Sequence, residues 1–99
     1  MDIKLVNRGT EGELILSGRL DAKNAEDVGN VFLQVADRFQ NITLNMRDLK
    51  YISSAGLRIL KKLYIKVRGN NGSLVLTNLA PYVEEVLEMT GFAEMFEIR

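Results

Sequence analysis

The run I-T-L-N-M, Ile42 to Met46, and the stretch D-L-K-Y-I-S-S-A-G-L that follows it, Asp48 to Leu57, decide how this chain is read. Ile42, Leu44 and Met46 alternate with Thr43 and Asn45, the period of two expected of a strand with one buried face. From about Ser54 the period changes. At about 100° per residue from Arg58, Leu57, Ile59, Leu60, Leu63, Tyr64 and Val67 fall within one arc of roughly 100° to 260°, the core face of a helix. Arg58, Lys61, Lys62, Lys66 and Arg68 take the opposite arc, Ser54 projects beside Arg58, and Ile65 lies apolar among the charges. Gly69, Asn70, Asn71 and Gly72 stop the helix near Arg68. A strand thus hands over to a helix through two serines, an alanine and a glycine.

Working outward, R-G-T-E-G at Arg8 to Gly12 is a turn between two apolar segments, so Ile3–Val6 and Leu14–Leu16 form a hairpin. After G-R-L-D, Gly18 to Asp21, Asn24 can cap a helix with Asp27 at its third position, a box-like arrangement that suits the positive end of the dipole. Ala25, Val28, Phe32, Val35 and Phe39 give that helix its buried stripe. S-L-V-L-T at Ser73 to Thr77 is a further strand. Pro81 fits the first turn of a third helix with Val83, Val86 and Leu87 as its apolar face, and Gly91 ends it in a left-handed conformation. Phe92, Met95, Phe96 and Ile98 close the chain as a short edge strand or extended tail. The expected order is β-β-α-β-α-β-α. Helical connections between strands are right-handed crossovers, so the fold class is α/β: a mixed, mostly parallel sheet of four to five strands with helices packed on it and the first strand antiparallel near an edge.

Composition narrows the chemistry. The 99 residues suit one domain spanning 1–99, with 46% hydrophobic and 26% charged residues and a single proline, a globular balance. There is no cysteine and no histidine, which removes thiolate chemistry, the commonest general base and the commonest metal ligand. No apolar run approaches the roughly 18 residues a membrane span needs and the start lacks a signal-peptide core, so the expected location is cytoplasmic. Formal net charge is zero, which argues against nucleic acid as the main partner. The charge is uneven nonetheless: Arg47 to Arg68 carries seven basic residues against Asp48, and Tyr82 to Arg99 five glutamates against Arg99.

The Ser-Ser-Ala-Gly junction raises four readings: a helix cap, a phosphate cradle, a nucleophile elbow, or an acceptor for modification. A P-loop needs more glycine and a Gly-Lys-Ser/Thr, and a nucleophile elbow needs a histidine; neither is present. Asp21, Glu26, Asp27 and Asp48 are explained as loop, cap or first-turn residues, so no enzyme, cofactor or metal site is expected. From the motif alone Ser53 and Ser54 read as cap residues and the lysines and arginines as a solvated face.

Taken together, the order of elements, G-R-L-D at Gly18 to Asp21, L-N-M-R-D-L-K-Y-I at Leu44 to Ile52 and S-S-A-G-L at Ser53 to Leu57 resemble the STAS domain, most of all the bacterial anti-sigma factor antagonists. The resemblance spans nearly the whole chain. It implies a binding protein controlled by phosphorylation of a serine at the start of the helix after the third strand: unphosphorylated it holds an anti-sigma factor with serine kinase activity, and a phosphatase restores it. The acceptor then falls on Ser54, with Ser53 as second choice, Gly56 on the family glycine, and Ser53 where an aspartate is usual. The partner surface would comprise Asp21, Lys23, Asn24, Ser53, Ser54, Gly56, Arg58, Lys61 and Ile65, on a monomer or weak dimer. The family also implies two alternatives, a small subunit bracing the ATPase of a lipid-transporting ABC system and a non-phosphorylated interaction or sensor module.

Overall fold

In a computed structural model, which describes all residues from Met1 to Arg99, the elements run β1 (Asp2–Arg8), β2 (Glu11–Leu20), α1 (Ala25–Arg38), β3 (Asn41–Ile52), α2 (Ser54–Gly69), β4 (Ser73–Thr77), α3 (Pro81–Met89) and β5 (Glu97–Ile98), with one 3-10 turn at Phe92–Glu94. The five strands form one sheet in chain order, β1-β2-β3-β4-β5. Only the β1–β2 hairpin is antiparallel; the other three pairs are parallel. Each parallel strand lies one place further across than the last, so successive right-handed crossovers stack their helices on the same side. Accordingly Leu14, Leu16, Ile42, Leu44, Leu74 and Leu76 from the sheet join Val28 and Phe32 of α1, Leu60 and Leu63 of α2, and Val83 and Leu87 of α3 in a single apolar cluster.

The opposite face of the sheet is polar and internally paired. Arg8 holds Glu13 at 2.8 Å, Asn45 donates to Glu13 at 3.2 Å, and Thr43 donates to Glu11 at 2.6 Å. The arginine beside Glu13 holds its carboxyl below the usual 4.5, against the smaller opposing effect of burial, with the Asn45 hydrogen bond acting in the same direction as Arg8.

Strand β3 is longer than the alternating run predicts, because it carries an extra residue against β2 in two places, between the pairs Ile15–Asn45 and Ser17–Asp48 and between Gly18–Leu49 and Arg19–Tyr51. These irregularities change the core spacing to Met46, Leu49 and Ile52, all buried. Gly18, with φ of 109°, lies at the second of them. β4 stops at its pairing with Asn45, leaving the end of β3 to project beyond it, and α3 packs against that projection. The chain end is a two-residue strand beside β4, preceded by the 3-10 turn; Phe96 is buried, edge-on to Tyr64 of α2 at 5.7 Å. Gly91 adopts the expected left-handed conformation after α3, with φ of 80°. No helix is long and apolar enough to cross a membrane.

A candidate partner-binding surface around Ser54

The two serines at the β3–α2 junction have different jobs. Ser53 is the N-cap of α2: its backbone is extended, and its Oγ accepts a hydrogen bond from the Gly56 N–H at 3.3 Å. That satisfies one of the amides a helix start leaves without an intrahelical partner. Its own N–H is tied to the Leu20 carbonyl at 2.9 Å, fixing the junction to β2. Ser54, the first helical residue, is exposed, and its hydroxyl makes no hydrogen bond within the protein. The hydroxyl free for chemistry is therefore that of Ser54. An aspartate at 53 would cap equally well, so the serine there serves the cap without placing a negative charge beside Ser54.

Gly56 lies beneath this turn rather than on the surface. It is buried, and a Cβ there would stand 2.8 Å from Ile52 Cγ1 and 2.9 Å from Leu20 Cγ. The resemblance placed Gly56 among the partner-contacting residues; its role is to let α2 start close to the sheet, which positions Ser53 and Ser54.

Beyond Ser54 the outer face of α2 follows the expected order. Arg58, Lys61, Lys62 and Arg68 are exposed, and Ile65 is 58% exposed. At about 1.5 Å rise per residue, Ser54 to Ile65 spans roughly 16 Å of one helix face. No acidic residue sits in the first turn, so nothing offsets the positive end of the helix dipole. Lys66 departs from the expected free stripe, being half-buried and paired with Asp37 of α1 at 2.9 Å.

The loop before α1 is more tightly built than its sequence suggests. Asp21 Oδ1 accepts from the Lys23 N–H at 3.0 Å and the Asn24 N–H at 3.3 Å, a local turn closed by the aspartate side chain. Asn24 occupies the N-cap position but does not cap: its Oδ1 accepts from the Asp21 N–H at 3.0 Å and its Nδ2 donates to the Arg19 carbonyl at 2.7 Å. The box with Asp27 is thus replaced by a clasp joining the end of β2 to the start of α1, because the Arg19 and Asp21 backbone groups compete for the same amide. Lys23 is exposed at the tip, while Asp21 and Asn24 are half-buried.

Between the starts of α1 and α2 lies an open groove of about 550 Å³, lined by Ala22, Ala25, Glu26, Asn30, Ala55, Arg58, Ile59 and Lys62. Arg58 joins this groove to the Ser54 turn. Of these eight only Arg58 was among the site residues read from the sequence. The groove's signal in the sequence is the small side chains at Ala22, Ala25 and Ala55, which form a groove only once two helices are side by side. No three carboxylates converge anywhere to hold a cation.

The STAS domain model matches residues 4–99. BtrV of Bordetella bronchiseptica, described as a candidate anti-sigma factor antagonist, is 36% identical over 99 residues, covering 97% of this chain and 85% of that one. Among solved structures, an anti-sigma factor antagonist from Mycobacterium paratuberculosis superposes with a TM-score of 0.86 at 19% identity, covering 98% of this chain and 83% of that one. The anti-sigma factor antagonist SpoIIAA in its unphosphorylated form gives 0.77 at 16% identity over 99% of this chain and 87% of its own. At such identities the structures share the fold, whereas the family model spans almost every residue of this sequence. One covered sheet face, a capped serine turn after the third strand and that match make this chain a member of the STAS domain family.

Proposed function

We propose that this chain is an anti-sigma factor antagonist that works by partner switching. Unphosphorylated, it binds an anti-sigma factor with serine kinase activity through the Ser54 turn, the outer face of α2 and the loop before α1. Phosphorylated on Ser54 it is released, and a phosphatase returns it to the binding form. The chain acts by binding and not as an enzyme, in the bacterial cytoplasm. The observation that carries the reading is the division of labour at the junction: Ser53 is used by the helix, and Ser54 is exposed with an unbonded hydroxyl. The name of the 36% identical relative supports the same function.

The geometry also suggests how the switch works. Phosphate adds about −1.5 to −2 charges at the first turn of α2, where helix dipole and anion interact favourably by about 0.3–1 kcal/mol. Arg58 follows one turn later. The fold therefore accommodates the modification, and the effect falls on the partner, against which a bulky dianion now stands. Each 1.4 kcal/mol of interaction lost there weakens binding about tenfold.

The test uses the anti-sigma kinase as both partner and enzyme. Ser54→Ala is expected to bind it like the wild type and to incorporate no phosphate, and Ser54→Asp to fold normally but bind at least about tenfold more weakly. Equal labelling of Ser54→Ala and wild type would show the acceptor lies elsewhere, with Ser53 next in line. Ser53 in place of the usual aspartate favours a second reading, a subunit bracing an ABC ATPase without phosphorylation; in that case Ser54→Asp and the wild type retain the ATPase equally.

A further inference from the structure

Three side chains remote in sequence form a stack that the Ser54 surface does not use. Arg19 near the end of β2 and Tyr51 near the end of β3 are paired across the strands, with the Arg19 guanidinium carbon 4.1 Å from the Tyr51 ring centroid. Tyr82, in the first turn of α3, lies against the same Tyr51, ring centroids 6.0 Å apart and planes 15° from parallel. The order is guanidinium, ring, ring. The middle member is half-buried, whereas Arg19 and Tyr82 are exposed, Tyr82 by 48%. Three separate elements hold the row in place, so the patch is preorganised.

Arg19 forms no ion pair and its side chain donates no hydrogen bond; the three ion pairs of the molecule are Arg8–Glu13, Lys66–Asp37 and Arg99–Glu97. A guanidinium held against a ring face keeps its in-plane donors free and loses little further freedom when it grips a carboxylate in a two-pronged bond. Arginine and tyrosine in this arrangement are also the residue types that concentrate binding energy at protein interfaces. The patch adjoins the switch turn, since Leu20 and Ile52 follow Arg19 and Tyr51 and the Leu20 carbonyl receives the Ser53 N–H.

We propose that Arg19, Tyr51 and Tyr82 form a second docking patch, which receives an acidic segment of a protein partner. The complementarity is one of charge and shape: an unpaired arginine offers a carboxylate its donors, and the tyrosine rings offer the segment's aliphatic stems a flat surface. A nucleic acid strand fits less well, because it needs several phosphate contacts, and the patch supplies one arginine.

The experiment titrates the isotope-labelled full chain with a decapeptide of glutamate, followed by backbone amide NMR, with an eight-nucleotide single-stranded DNA as a parallel arm. The expected result is saturable shifts grouped on Arg19, Leu20, Tyr51, Ile52 and Tyr82, with binding weakened at least about fivefold in Arg19→Gln. Tyr82→Ala weakens it likewise, and both variants keep the wild-type amide dispersion elsewhere. Arg19→Lys does not restore binding, since a lysine loses the fork and the stack. The proposal is overturned if shifts are confined to Arg58, Lys61 and Lys62, if they persist unchanged in Arg19→Gln, if none appears at millimolar peptide, or if the DNA perturbs the patch more strongly than the peptide. No anti-sigma factor or kinase enters this measurement, so its failure and failure of the Ser54 reading are separate results.

Discussion

Replacing Gly56 by alanine tests whether packing beneath the Ser53–Ser54 turn positions it. The added Cβ would stand 2.8 Å from Ile52 Cγ1 and 2.9 Å from Leu20 Cγ, with Leu20 Cδ2 a further 3.2 Å neighbour. Leu20 and Ile52 are 0% and 2% exposed, so neither can swing into solvent to make room. Overpacking of this kind costs about 1–3 kcal/mol, and the contact distances argue for the upper half of that range. Alanine recovers up to about 1 kcal/mol of helix propensity, leaving a net loss of about 1–2 kcal/mol and a melting temperature lower by about 5–15 °C for a domain of this size. Gly69, the last residue of α2, is the control: nothing lies within 4 Å of its would-be Cβ and its φ is not positive. Gly69→Ala should stabilise by about 0.4–1 kcal/mol. Thermal and urea unfolding followed by circular dichroism measure both. Should Gly56→Ala melt at or above the wild type while Gly69→Ala behaves as stated, close packing at Gly56 is not what holds the turn.

Two other predictions concern the cap and the open sheet face. Ser53→Ala leaves the Gly56 N–H without its acceptor and should cost about 1 kcal/mol, whereas Ser53→Asp should restore or exceed wild-type stability, both read as unfolding midpoints. Glu13 has a folded pKa below the usual 4.5, so the unfolded chain binds more protons at this site: the stabilisation is present above 4.5 and is lost as pH falls through the lower folded value. Urea midpoints between pH 6 and 3 should therefore fall less in Glu13→Gln than in wild type, and an equal fall would remove Glu13 from the account.

The elements were legible wherever one period held for several residues. The first half of β3 and the buried stripes of α1 and α2 stand where alternation or three-and-four spacing put them, because a single buried face imposes that period directly. Legibility failed where the period was interrupted or the partner was distant. The second half of β3 was missed because its extra residues turn an alternating pattern into the three-residue spacing Met46, Leu49, Ile52. Asn24 has the composition of a cap, but the choice between capping α1 and holding Arg19 is made by tertiary geometry. Ser54 and the basic stripe were readable because they lie on one helix. The groove between α1 and α2 and the Arg19–Tyr51–Tyr82 stack were not, since each needs residues from several elements and no sequence period links them.

The identity of strand order and chain order bears on how the molecule is made. A sheet in which every strand lies beside its predecessor can be assembled in the direction of synthesis: the β1–β2 hairpin offers an edge for β3, β3 one for β4 and β4 one for β5, each new strand bringing the helix that covers it. No early strand has to wait, unpaired, for a late one to insert between its neighbours, which shortens the loops that must close before contacts reward them. The interval in which bare strand edges are open to wrong pairing is correspondingly brief. Residues 46–52 of β3 bring the Ser53–Ser54 junction with them, so this turn takes shape with the third strand, before the chain end that closes the sheet has joined it.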